Sequence, residues 1–208
     1  MGRIVAMAGV VLGLAAVILQ GSISIGLRIS NGHNLVDALV FFFTYFTILT
    51  NLMLVAIYMS TLVDWRWLGW WRSPVTRGMM VGAIVLVMVF YHLLLAGLWA
   101  PQGWAKVADT ALHYGAPVLY VAWWLAFQPK GSLRFGDIGW MLLPIALWLV
   151  WTMLRGAVVG EYPYPILEAN RLGYVQVVLN CLVVLAALVG LFAIVICFDR
   201  WLARRRTV

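Results

Sequence analysis

Six long apolar runs divide this 208-residue chain, near Ile4 to Leu27, Leu35 to Val63, Gly78 to Trp99, Val107 to Phe127, Ile138 to Val158 and Leu172 to Phe198. A helix crossing a bilayer needs about 20 mainly apolar residues, and hydrocarbon offers backbone polar groups no water, so runs of this length are expected to be membrane helices. With 65% hydrophobic and 10% charged residues, the composition excludes a water-soluble domain. The first run exceeds the roughly 7–15 residues of a signal-peptide core, and no clean cleavage site follows it, which predicts a retained span. The sequence thus predicts an all-α membrane protein, a single six-helix domain over residues 1–208.

The net charge of +7 is explained by topology. Arg3, Arg66, Arg72, Arg77, Lys130, Arg134, Arg200, Arg204, Arg205 and Arg206 fall on one set of alternate loops, against Arg28, Lys106, Arg155 and Arg171 on the other. The positive-inside rule then predicts that both termini are cytoplasmic, as an even number of spans also requires. No basic element is long enough to track phosphates, so nucleic acid is not an expected partner, whereas membrane lipids are. Tryptophan favours the headgroup level, so Trp65, Trp67, Trp70, Trp71, Trp123, Trp124, Trp140 and Trp201 are expected to mark the inner interface, and Trp99 and Trp104 the outer one. Cys181 and Cys197 share the last helix, roughly 24 Å apart at 1.5 Å per residue, too far to pair.

Against this background Thr44, Thr47, His92, His113 and Asn180 lie at nearly one depth in the outer half of the bilayer. Counting along the helices places His92, His113 and Asn180 roughly 9–12 Å from the outer ends. Polar groups in hydrocarbon need partners, and ionisable ones there point to function. In the second run Thr44, Thr47 and Asn51 fall on one helical stripe with Thr50 beside it. Such hydroxyls also commonly bond the carbonyl one turn back, which would make the stripe a packing seam.

The fourth run, ADTALHYGAPVLY, carries more chemistry. Asp109 and His113 are one turn apart on one face, so the carboxylate can hold the imidazole tautomer and stabilise its cation. Pro117 lacks an N–H and is expected to free the His113 carbonyl and kink the helix. His92, after Tyr91, reads equally as a structural hydrogen bond or a ligand. His33 in the first outer loop is expected to be solvated. The loop GEYPYPILEANRLGY, with Tyr162, Tyr164 and Glu168, is either a lid over the polar layer or a rigid turn, and Glu168 can pair with Arg171.

Three of these segments together, FFFTYFTILTN, LHYGAP and YPYPILE, resemble the androgen-induced and androgen-dependent TFPI-regulating protein family of six-helix membrane threonine hydrolases, across most of the chain. The resemblance implies an intramembrane Thr nucleophile with a His base, cleaving fatty acid esters of hydroxy fatty acids or related acyl esters. Thr47 matches the nucleophile, with Thr44 as the alternative, and His113 the base. Asn51, Asn180, Gln176 and Tyr91 are candidate oxyanion donors, with Thr44, Thr50 and His92 as further lining residues. No HExxH or CxxC spacing occurs, so no metal and no cofactor is expected. Two other classes fit the same polar layer: a non-catalytic lipid or small-solute binding or transport protein, and a b-type haem protein using His92 and His113.

Overall fold

The computed structural model describes residues 1–206; the chain is 84% helical, with no strand among the described residues. Its helices are α1 (Gly2–Ser30), α2 (Leu35–Thr44), α3 (Phe46–Leu62), α4 (Pro74–Phe90), α5 (Gly103–Thr110), α6 (Ala116–Phe127), α7 (Ile138–Val159), the single turn α8 (Ala169–Leu172) and α9 (Tyr174–Arg206). A π turn at Tyr91–Leu95 extends α4, and another at Ala111–Gly115 joins α5 to α6.

Four stretches, Gly2–Ser30, Pro74–Leu95, Phe135–Val159 and Tyr174–Arg205, are long and apolar enough to cross a membrane. The pair α2 and α3 makes a fifth if taken as one bent span. Leu147, Val150, Leu154 and Val158 of α7 and Val175, Leu182 and Val183 of α9 are exposed, an extent of outward apolar surface that suits lipid. The chain is therefore a multi-pass helical membrane protein. Residues 107–127, expected as the fourth span, are not among these stretches; Asp109 and His113 make them more polar. They pack along α1 in three pieces.

Helices in lipid gain little from hydrophobic burial against one another, so close packing holds them together, and small residues permit it. Ala6, Gly9, Gly13, Ala16 and Gly21 form the buried stripe of α1, and α3 lies against it. A Cβ at Gly9 would stand 2.3 Å from the Tyr58 ring and one at Gly13 2.6 Å from Val55, so neither position admits a side chain. Beyond them, α4 packs on α9, and Tyr58, Tyr120 and Trp123 form an aromatic centre with ring centroids 5.0–5.8 Å apart.

The start of α1 and the last turns of α9 lie at one end of the bundle. The Gly2 carbonyl accepts from Trp123 Nε1, and Asp199 accepts the backbone N–H groups of Gly131 and Leu133. This contact corrects the interfacial role expected for Trp123 and Trp124. Both are buried, 1% and 3% exposed, because α6 turns them into the core; Trp65, Trp67, Trp140 and Trp201 are exposed as expected.

The second apolar run is broken at Tyr45, where α2 and α3 meet at a 76° bend. No Gly or Pro is present to cause it. Two side chains from elsewhere satisfy backbone groups at the break: Trp148 Nε1 donates to the Thr44 carbonyl at 2.9 Å, and the Thr47 N–H donates to the Tyr164 hydroxyl at 3.3 Å. Thr44 therefore does not share a helical stripe with Thr47 and Asn51, a correction to the sequence expectation that follows from this insertion into the helical ladder.

Candidate functional site

Thr47 sits in the first turn of α3, directly after the bend, with its Oγ1 3.5 Å from His113 Nε2. His113 Nδ1 faces Asp109 twice, 3.0 Å from its carbonyl oxygen and 3.1 Å from Oδ1. A proton on Nδ1 shared between these two acceptors leaves the Nε2 lone pair turned to the Thr47 hydroxyl. Tyr91 closes the far side: its ring stacks on the imidazole at 3.8 Å and 13°, and its hydroxyl donates to Asp109 Oδ2. That engagement turns the Tyr91 hydroxyl away from Thr47 and makes it a brace for the carboxylate.

The π turns explain how these groups meet. At Ala111–Gly115 the Ala116 N–H bonds the carbonyl of Ala111, five residues back. In that register the next donor in line for Leu112 would be Pro117, which has none. In addition to what α-helical spacing predicts for His113, the Leu112 carbonyl is thus freed. Asn51 Nδ2 takes it at 3.3 Å while also donating to the Thr47 carbonyl at 2.8 Å. One buried amide therefore links the turn carrying Thr47 to the turn carrying His113. Single π turns occur frequently at functional sites.

The other hydroxyls of this region are engaged locally. Thr44 Oγ1 donates to the Val40 carbonyl at 2.7 Å, and Thr50 Oγ1 contacts the carbonyls of Phe46 and Thr47 at 2.8 and 3.1 Å. His92 is exposed, bonds the Tyr114 hydroxyl at 3.0 Å and lines neither of the two cavities that reach Thr47. Gln176 donates to Asn180, and Asn180 donates to the Ile166 carbonyl, so this pair braces the turn after Tyr164. Thr47, His113, Asp109, Tyr91 and Asn51 come together; Thr44, Thr50, His92, Gln176 and Asn180 stand around or away from them.

Ile48, Leu112 and Val17 share one apolar cluster, which puts the site about 20 Å from either end of α1 at 1.5 Å per residue. Two cavities reach it. A polar chamber of about 610 Å³ extends from His113 and Asp109 along α1 past Gln20 and Ser24 to Arg28. An apolar cavity of about 630 Å³ lies between α4, α7 and α9, lined by Leu86, Leu149, Val177, Cys181 and Leu188 among others. Thr47, Leu95 and Tyr164 line both.

The chamber mouth holds an ion cluster that counting residues along the chain did not bring together. Arg28 bonds Asp37 and Glu161, each at 2.6 Å, and Arg155 lies 3.7 Å from Glu161 and 3.9 Å from Asp37. His33, expected to be solvated, contacts Asp37 at 2.9 Å, and Phe41 lies beneath both guanidinium groups. Glu161 opens the loop that carries Tyr162 and Tyr164, so the cluster fastens this loop to α1 and α2. Tyr162 packs on Gly156, where a Cβ would stand 2.1 Å from its ring. Glu168 pairs with Arg171 at 2.8 Å on the exposed side of the loop. Burial pushes the Tyr164 phenol above its ordinary range, so it keeps its proton at neutral pH.

A hydroxyl opposite the free nitrogen of an imidazole whose other nitrogen is held by a carboxylate has the connectivity used in acyl transfer. Among the described residues no group of three or more His, Cys, Asp or Glu is placed to hold a metal ion. The fold and site define a multi-pass helical membrane protein in which Thr47, His113 and Asp109 stand in line beside a more polar and an apolar cavity. No family model, curated protein or solved structure matches the chain.

Proposed function

We propose that this protein is an intramembrane lipid ester hydrolase with Thr47 as nucleophile, His113 as general base and Asp109 as the group that orients the imidazole. The observation that carries this reading is the Thr47 hydroxyl facing His113 Nε2 where the two cavities meet. Thr44 and Thr50, with their hydroxyls returned to helix carbonyls, are poorer candidates. Thr47 Oγ attacks the ester carbonyl carbon as its proton passes to His113 Nε2. Collapse of the tetrahedral adduct breaks the ester C–O bond, and the leaving alkoxide takes that proton. Water, deprotonated by His113, then adds to the Thr47 acyl ester; collapse breaks the Oγ–acyl bond, Oγ takes the proton back from His113, and the fatty acid leaves. The 3.5 Å separation exceeds the roughly 2.6–3.2 Å of a working base, a slackness common in sites without substrate.

The apolar cavity suits an acyl chain: along α9 it runs from Tyr174 to Leu188, about 21 Å at 1.5 Å per residue. The polar chamber suits the alcohol portion and admits water. The family resemblance points to the same chemistry, with fatty acid esters of hydroxy fatty acids as its substrate form. In this reading residues 107–127 complete the six spans, with both termini cytoplasmic as the Lys and Arg bias predicts.

The test is hydrolysis of long-chain acyl esters presented in phospholipid vesicles. Wild-type protein cleaves them, and Thr47→Ala and His113→Ala each lose on the order of 10³-fold or more in kcat/KM while remaining folded. Full activity in both variants contradicts the reading and favours a lipid-binding or transport role.

A further inference from the structure

We infer that Tyr164 is a catalytic residue of this site, its hydroxyl donating to the ester carbonyl oxygen as negative charge develops there. The inference rests on the acyl-transfer reading of Thr47 and adds the component that reading lacks, a donor for the oxyanion. Asn51 cannot supply it, since both its contacts go to the carbonyls of Thr47 and Leu112. Tyr91 is committed to Asp109, and Asn180 to the Ile166 carbonyl.

Tyr164 has the position the others lack. Its hydroxyl oxygen receives the Thr47 N–H at 3.3 Å, and a nucleophile's own backbone N–H is a recurrent oxyanion donor. That N–H is available because the bend at Tyr45 leaves it without a helical acceptor. In the resting chain the phenol oxygen takes this bond, in the place the proposed reaction gives to the substrate oxygen. An arriving carbonyl takes over the N–H, and the displaced phenol, now beside the same oxygen, turns its O–H onto it. Both donors converge where the apolar cavity and the polar chamber join, which is where an ester spanning them carries its carbonyl.

The ring is held for this task on several sides. It meets the rings of Tyr45 at 5.8 Å, Trp148 at 6.1 Å and Phe90 at 6.4 Å. Pro163 and Pro165 stiffen the backbone on both sides, and Arg28 on Glu161 and Asn180 on Ile166 tie the loop to α1 and α9. Packing that limits how far the phenol can shift keeps its O–H beside the oxygen it is to meet, and donors held near their final place are worth more to a transition state than mobile ones.

The experiment is steady-state hydrolysis of a long-chain p-nitrophenyl ester by the full chain in lipid nanodiscs. Tyr164→Phe keeps the packed ring and is expected to lower kcat by about 10²-fold, the usual effect of losing one oxyanion donor, with KM within about 2-fold. A purely structural role would instead raise KM or lower the melting temperature. An unchanged kcat in Tyr164→Phe, with Thr47→Ala inactive, overturns the role of Tyr164 and leaves the hydrolase reading standing. Undiminished activity in Thr47→Ala overturns both. If Tyr164→Phe does not fold, 3,5-difluorotyrosine at this position decides. It keeps volume and O–H but ionises more readily, so the alkaline limb of kcat moves to lower pH; an unmoved limb overturns the inference.

Discussion

Two buried polar clusters lie at different levels of this bundle, and they differ in what their hydrogen bonds leave over. At the end carrying the termini, Asp199 is 1% exposed and closed on the N–H groups of Gly131 and Leu133. Arg77 is similarly closed on Gln128, Thr61, Ser60 and the Trp71 carbonyl. Midway along the bundle, Asn51 keeps an unpartnered Oδ1, and Thr47 meets His113 at a slack 3.5 Å. The first cluster fastens helix ends to loops. The second faces two cavities. Polar burial alone therefore does not mark a functional site in a membrane bundle; polar groups held in place yet incompletely satisfied, beside space for a ligand, are the better signal.

If the contrast is sound, variants in the two clusters separate activity from stability. Asp109→Asn in the slack cluster is expected to lower kcat by on the order of 10³-fold, because the imidazole loses the negative charge that stabilises its cation, while the Asp109 backbone carbonyl still faces Nδ1. Its unfolding midpoint in denaturant should stay close to wild type. Asp199→Ala in the closed cluster is expected to do the reverse, costing about 2–3 kcal/mol by stranding two backbone donors while leaving kcat of the folded fraction unchanged. Equal losses of activity in the two variants would erase the distinction. A smaller effect sharpens it further: Cys181→Trp, projecting into the apolar cavity, is expected to lower kcat/KM for long-chain esters by about 10-fold. Short-chain esters are expected to be spared. Uniform loss over all chain lengths would place the acyl chain elsewhere.

Much of the fold was legible in the sequence because bilayer thickness sets helix length, and α1, α4, α7 and α9 overlap four of the predicted runs, with ends that differ by up to about nine residues. Asp109 and His113 were legible as a pair because one helical turn separates them and both stand out in hydrocarbon. The break at Tyr45 was not legible: FFFTYFTILTN has no Gly or Pro, and the groups that sustain it, Trp148 and Tyr164, are more than 100 positions away. The Arg28 cluster was hidden for the same reason, since Glu161 is 133 positions from Arg28. Trp123 and Trp124 misled because an indole at a helix end serves a core as well as an interface. The free Leu112 carbonyl was not foreseen because α-helical counting has no place for a π turn.

The central claim is that Thr47, activated by His113, is the residue that attacks an acyl group. Labelling the membrane-embedded protein with a lipophilic fluorophosphonate and mapping the adduct by peptide mass spectrometry tests it most directly. The account predicts modification at Thr47, lost in His113→Ala. An adduct at Thr44, Thr50 or Tyr164, or labelling undiminished in Thr47→Ala, would contradict it.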